Sequence, residues 1–423
     1  MQSDTLSTAL GKRISWKKCE NRVLIQFEKG EGTIEILRND IINVFVPYET
    51  KEHRSKAIER KKTVPAEYTV TEEGDALVIS TDALTAKVYD NLLIDFYKAD
   101  GTLLCADYRG KRTVGDAIDE EYLEMLRAEG HDVSDMSSRD HRIQVVKAMD
   151  GDEKFYGLGD KTGFLNKRDY EYENWNSDIP QAHNEDYRAL YKSIPFLITL
   201  KKQGVFGMFF DNTYKSYVNL GKENQNYYFY GVENGNLDYY FIVGDKMTDV
   251  VSGYTYLTGT TPMPQRWTLG YHQSRWGYEN SDDIRDVAEH YRNLQIPCDT
   301  IHFDIDYMDG YRVFTWNEEA FGAPGEIIKE IGKSGYHAVT IIDPGVKLDE
   351  GYYMYDEGIA GGYFAKDKDG QVYVNEVWPG EAVYPDYGNP KTREWWAEKQ
   401  KYLTDLGVSG VWNDMNEPAS FRG

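Results

Sequence analysis

Ser281-Asp-Asp-Ile-Arg-Asp-Val-Ala-Glu-His-Tyr-Arg-Asn-Leu-Gln-Ile-Pro-Cys-Asp-Thr-Ile-His-Phe-Asp-Ile-Asp306 decides the fold. Ile284, Val287, Ala288, Tyr291 and Leu294 recur on one face at helical spacing. Ser281 is placed to cap that helix, with Asp282 and Asp283 in its first turn where the dipole favours negative charge. Pro297 ends the run, and Thr300-Ile-His-Phe follows at once as a short apolar strand. A helix passing straight into a buried strand is one step of a parallel α/β repeat.

Working outward, the step repeats. Ile327-Ile-Lys-Glu-Ile reads as a helix stopped by Gly335, and His337-Ala-Val-Thr-Ile-Ile as the next strand. Pro390 opens a helix running through Trp395, Trp396 and Tyr402, Gly407 closes it, and Val408 to Asp414 is a further strand. With Gln265 to His272 as a first strand, four strands alternate with three helices. Before Pro262 the texture differs. Arg22-Val-Leu-Ile-Gln-Phe, Gly32-Thr-Ile-Glu-Ile-Leu, Ile42-Asn-Val-Phe-Val and Ala76-Leu-Val-Ile-Ser are short β-branched runs, separated by turn pairs such as Asp100-Gly101, Asp150-Gly151 and Asn234-Gly235. Ser193 to Leu200 and Gly204 to Phe210 form another hairpin, and Ile118 to Arg127 a short helix. Many short strands between turns predict a β-sandwich over residues 1–262. Residues 263–423 are then a separate α/β domain.

Composition narrows the function. The 423 residues carry 48 basic and 71 acidic side chains, a net charge of −23, which repels phosphate backbones and anionic lipid. Nucleic acid and membrane are therefore not expected as partners. Cys19, Cys105 and Cys298 are widely spaced and odd in number, so they frame neither disulfides nor zinc. The N-terminus lacks an apolar signal core, no run of about 18 apolar residues occurs, and a cytoplasmic location is expected. There is no Gly-Lys-Ser/Thr phosphate loop and no His-Glu-x-x-His, so no cofactor and no metal is expected. Asp367-Lys-Asp-Gly370 has its Gly too early for a calcium loop and reads as a hairpin turn.

Polar residues cluster where the α/β strands end: Gln273, Arg275 and Trp276; Asp304 and Asp306; Asp343; Asp414, Asn416 and Glu417. Parallel sheets and barrels carry their sites at the carboxyl ends of the strands. Acids there are better read as a site than as core, where burial is costly; the competing reading makes them caps of the following helices. Carboxylates beside tryptophans are what glycoside hydrolysis requires.

Gly410-Val-Trp-Asn-Asp-Met-Asn-Glu-Pro418 resembles the nucleophile motif of glycoside hydrolase family 31, the α-glucosidase group. Asp304-Ile-Asp-Tyr-Met-Asp309 and Phe155-Tyr-Gly-Leu-Gly-Asp160 are similar to two further hallmarks, with Gln273-Ser-Arg-Trp-Gly277 and Ile341-Ile-Asp-Pro344 in the family's order. The resemblance implies a β-sandwich followed by the first half of a (β/α)₈ TIM barrel. About 250 residues make a whole barrel, whereas about 160 follow Pro262, so the remaining half is expected on this or a second chain. By the same resemblance Asp414 is the nucleophile of a retaining mechanism. Asp304 grips sugar hydroxyls, Ile305 is an apolar wall, and Trp276, Trp378, Trp412 and Met415 line the pocket. Asp178 reaches the aglycone side, while Glu417, Asp306 and Asp343 support the strand ends.

The family's general acid/base and a pocket His and Arg lie downstream of the residues present, so the 423 residues alone are expected to be inactive. The implied substrate is a short α-glucoside, with α-xylosidase or α-galactosidase as alternatives within the family. Trp276, where many maltases have a smaller ring, favours α-1,6 linkages. A carbohydrate-binding half-enzyme that needs a partner chain is the reading from another class.

Overall fold

The computed structural model describes residues 10–51, 55–58, 66–110, 128, 143–179 and 181–422. Two units form, residues 1–261 and 262–423. The helix expected over Ile118–Arg127 lies outside the described residues.

Alternation builds the first unit. In Arg22–Phe27, Val23, Ile25 and Phe27 are buried and the residues between them exposed, the two-residue period of a strand with one wet face. That strand belongs to an eight-stranded antiparallel sheet in the spatial order Arg13–Cys19, Arg22–Phe27, Gly30–Arg38, Ile41–Val46, Leu237–Gly244, Gly204–Phe210, Ser193–Lys201, Lys154–Gly159. A five-stranded sheet (Thr69–Glu73 to Leu103–Ala106) and a four-stranded sheet (Ile143–Ala148, Tyr227–Val232, Ser216–Asn219, Glu171–Asn174) share its core. Phe96 stacks on Phe241 at 3.9 Å, tying the five-stranded sheet to the large one, and Phe210 stacks on Tyr230 at 3.9 Å, tying the four-stranded sheet to it. Each such ring contributes about 1.5–3 kcal/mol by leaving water. The helix Met247–Thr258 covers part of the large sheet's other face, packing Val250 and Leu257 against Ile41, Phe196, Phe209 and Ile242. The expected sandwich and the Ser193–Lys201/Gly204–Phe210 hairpin are both present.

The second unit is the α/β repeat. Its four strands, His272–Gln273, Thr300–Phe303, His337–Ile342 and Gly410–Asn413, are parallel and adjacent in chain order. Helices Ser281–Asn293, Glu326–Lys333 and Pro390–Asp405 connect them. Between the third strand and the last helix, Val346–Lys347, Gly380–Val383 and Val374–Val377 form a small antiparallel sheet. Ile284, Ala288, Ile327, Ile328, Ile331, Trp395 and Leu403 face the sheet and join one core with Ile301, Phe303, Ile341 and Ile342. Asp367 closes a turn, its carboxylate accepting from the Asp369 and Gln371 amides at 2.9 Å each, as expected for a hairpin.

Two local expectations shift. The first helix is capped by Asn280, whose Oδ1 accepts from the amides of Asp282 and Asp283 at 2.9 and 3.1 Å. Ser281 is instead the first helical residue, and its hydroxyl accepts from Arg285 at 3.2 Å. An Asn that reaches two orphan amides displaces a Ser one residue later. The first strand is also shorter than Gln265–His272. Arg266–Leu269 winds into a 3₁₀ turn and only His272–Gln273 pairs with Thr300–Ile301. Gly270 lies between them, where a Cβ would collide with the Asp299 carboxylate, so a larger residue would have to displace that side chain.

Candidate active site

Parallel register brings the strand-end acids of the second unit to one edge. Asp304 follows the Thr300–Phe303 strand, Asp343 the His337–Ile342 strand and Asp414 the Gly410–Asn413 strand. Asp304 caps a short 3₁₀ turn, Ile305–Tyr307, and its Oδ1 accepts from the Ile305 amide at 2.8 Å. The helix-cap reading of that residue is therefore true locally. Burial raises the Asp304 pKa; the Ile305 amide opposes this, and the charges of Asp306 and Asp414 reinforce it.

Asp343 is more strongly perturbed. It is 5% exposed, its Oδ1 has no hydrogen-bond partner among the described residues, and burial followed by the charges of Asp414 and Asp304 pushes its pKa up to about 7. The three acids therefore sense one another across strand ends far apart in sequence. Ile305 and Tyr307 are buried behind Asp304, and the Tyr307 hydroxyl donates to the Ile341 carbonyl at 2.8 Å, locking the second strand's turn to the third strand. Asp306, half-buried, accepts from the Tyr311 hydroxyl at 3.3 Å.

Asp414 itself is half-exposed, and its amide bonds to the Ile342 carbonyl at 3.4 Å, continuing the ladder one residue past the strand. Met415 takes a left-handed backbone, φ +58°, and turns the chain so that its side chain packs on Val377, Ala382 and Tyr384. The Asn416 side-chain amide donates to the Asp414 carbonyl at 2.9 Å. Glu417 lies exposed beyond that turn.

Aromatic rings of the same unit contact one another. Trp276 and Trp378 contact one another at 5.7 Å between centroids, with Trp276 67% exposed. Trp378 also meets Phe421 edge-on at 5.1 Å. Phe421 went unmarked in the sequence; its spacing after Glu417-Pro418 carries no periodic signal, and its contact comes from the chain folding back so that its amide bonds the Glu376 carbonyl at 2.7 Å. Trp412 sits against His302 at 5.9 Å, on the sheet face lining a 360 Å³ groove with Trp267, His272, Val339 and Val411. Asp178 belongs to the other unit, on an exposed loop beside Tyr191.

Carboxylates at adjoining strand ends can hold a polyhydroxylated ring by charge-assisted hydrogen bonds, and exposed indoles, which this unit also carries, can stack on one. Among the described residues no cluster of three or more His, Cys, Asp or Glu side chains could hold a metal ion, and no helix is long and apolar enough to cross a membrane.

Residues 261–423 match the glycosyl hydrolases family 31 TIM-barrel domain, and residues 31–219 the glycosyl hydrolase 31 N-terminal galactose mutarotase-like domain. The chain is 36% identical over 423 residues to alpha-glucosidase 2 of Bacillus thermoamyloliquefaciens, covering 98% of this chain and 50% of that protein. It is 33% identical over 281 residues to an alpha-glucosidase of Saccharolobus solfataricus, covering 66% and 40%. The solved Flavobacterium johnsoniae GH31 dextranase superposes with a TM-score of 0.81 at 28% identity, over 97% of this chain and 48% of the dextranase. The chain thus spans half or less of the length of these relatives.

Proposed function

We propose, from the premise that the chain belongs to glycoside hydrolase family 31, that it is the nucleophile-bearing part of a retaining α-glucosidase. The observation that carries this is the placement of Asp414 at the end of a parallel strand, in electrostatic reach of Asp304 and Asp343 and in the unit that holds the Trp276–Trp378 pair. In the first half-reaction the Asp414 carboxylate attacks the anomeric carbon of a terminal glucose. The C1–O bond to the leaving group breaks, an ester bond to Asp414 forms, and the departing oxygen takes a proton from a general acid that no residue of these 423 is assigned to supply. Water then adds to C1 as it gives a proton back to the conjugate base of that general acid, and the C1–O bond to Asp414 breaks, freeing its carboxylate. Asp304 holds hydroxyls of the glucose, Trp412 and Met415 border it, and Ile305 packs behind Asp304.

Trp276 supports a preference for α-1,6 over α-1,4 linkages. The dextranase noted above has been solved, as a mutant, in complex with isomaltotriose, and this agrees with that preference. The substrate is a short α-glucoside cleaved at its non-reducing end, and three free cysteines fit a cytoplasmic setting.

Intact-mass analysis of the full-length protein after 5-fluoro-α-glucosyl fluoride tests the reading. An adduct mapped to the peptide containing Asp414, absent in Asp414→Asn, supports it. An adduct on another residue, or turnover of an aryl α-glucoside by Asp414→Asn, overturns it. For linkage, Trp276→Tyr should lower the isomaltose-to-maltose kcat/KM ratio; an unchanged ratio removes Trp276 from the argument.

A further inference from the structure

Asp343 has a combination of features that a strand-end support does not need. It is 5% exposed, and its Oδ1 finds no hydrogen-bond partner among the described residues. Among the described residues, the groups acting on it are Asp414 and Asp304 from the strands on either side and the Tyr307 hydroxyl from the turn after the second strand. None of these carries a positive charge. An ionised carboxylate buried with one oxygen unsatisfied, between two further carboxylates, is opposed by desolvation and by like-charge repulsion together. Adding a proton removes both penalties and creates an O–H donor where the neighbours offer only acceptors.

We infer that Asp343 works as a neutral carboxylic acid, a positioning residue whose O–H braces the carboxylates beside it so that Asp414 is aimed and ionised. The inference rests on the α-glucosidase reading and adds to it a proton that the acid cluster must keep. Two charges shared among three acids leave the nucleophile charged without a third repelling it, the logic by which clustered carboxyls divide their protonation states. Loss of the Asp343 proton removes the donor and sets three charges against one another. The burial and neighbours that raise this carboxyl to about 7 put that loss near neutral pH.

The test compares full-length wild type, Asp343→Asn and Asp343→Ala by pH profiles of kcat/KM on an aryl α-glucoside. Asparagine keeps the shape and a donor but cannot ionise. Asp343→Asn is expected to stay within about threefold of wild type at pH 5, and its alkaline limb to move up by about one pH unit or more. Asp343→Ala is expected to lose about tenfold or more at every pH. Infrared spectra should show a protonated-carboxyl C=O band in wild type that is missing in Asp343→Asn and fades as pH rises through neutrality. An unchanged alkaline limb in Asp343→Asn, or loss of that variant's activity at pH 5 with an unfolding curve like wild type's, overturns the inference, as does absence of the infrared band. Failure of the fluoroglucosyl adduct to form on Asp414 in wild type is a different result and sinks the α-glucosidase reading instead.

Discussion

The first unit hides an ion pair whose removal, one partner at a time, should be among the most damaging changes to the chain. Lys147 is fully buried and its ammonium lies 2.7 Å from the Asp107 carboxylate, between the rings of Phe96 and Tyr239 at 5.3 Å each. Asp107 also accepts from the Ile94 amide at 2.6 Å, and its backbone bridge to Lys147 joins the end of the five-stranded sheet to the four-stranded one. Burial by itself lowers the Lys147 pKa, and the Asp107 charge, joined by Tyr239, Cys105 and the hydrogen bond to Asp107, reverses that, so the net displacement is upward. The attraction therefore offsets the desolvation only while both partners are present. Asp107→Asn leaves a buried ammonium without its counter-charge, and Lys147→Met leaves a buried carboxylate; each should cost about 3–5 kcal/mol. That is a large share of a typical net stability of about 5–15 kcal/mol.

The double variant Asp107→Asn/Lys147→Met keeps the acceptor for Ile94 and removes both charges. It should fall within about 1–2 kcal/mol of wild type, a coupling of several kcal/mol. Urea unfolding of the four proteins at pH 7, followed by tryptophan fluorescence, measures it. In Asp107→Asn the folded Lys147 pKa drops below its unfolded value near 10.4. The unfolded chain then binds the proton more tightly, so the defect should be larger at pH 6 than at pH 9. Additive single effects, or an Asp107→Asn defect that does not shrink as pH rises, would refute the reasoning.

Three further outcomes are expected. Asp343→Asn should raise stability at pH 8, by at most about 4 kcal/mol, and less at pH 5, because a carboxyl lifted to about 7 penalises the fold only as pH rises from the unfolded value near 4 through that point; thermal melts at the two pH values read the difference. Trp276→Ala, at a ring 67% exposed, should leave the melting temperature unchanged while lowering kcat/KM for a disaccharide about tenfold and for α-glucosyl fluoride far less. Tyr307→Phe strips the donor from the buried Ile341 carbonyl and should cost about 1–2 kcal/mol, seen as a lower urea midpoint with an unchanged slope.

Local periodicity was enough to determine much of this protein. The two-residue alternation of Arg22–Phe27 and the three-to-four-residue recurrence from Ile284 to Tyr291 are set by backbone geometry that each short segment carries in itself. The division into a sandwich and a parallel α/β unit and the acids at the strand ends were legible from them, while the family was legible only through the resemblance of the motif around Asp414. Helix capping was legible only to within one residue, because Asn280 and Ser281 both suit the position and only the turn geometry selects Asn280.

Tertiary structure decided what no window of sequence contains. Asp304, Asp343 and Asp414 are tens of residues apart, and their mutual repulsion exists only once three parallel strands are in register. Phe421 joins Trp378 through a return of the chain that no hydrophobic pattern announces. Lys147 and Asp107 look like ordinary surface charges in sequence and become a buried pair because two sheets close over them. Periodicity reports which face of an element is apolar. Desolvation and charge coupling depend on which faces meet, and they are settled only when the chain is folded.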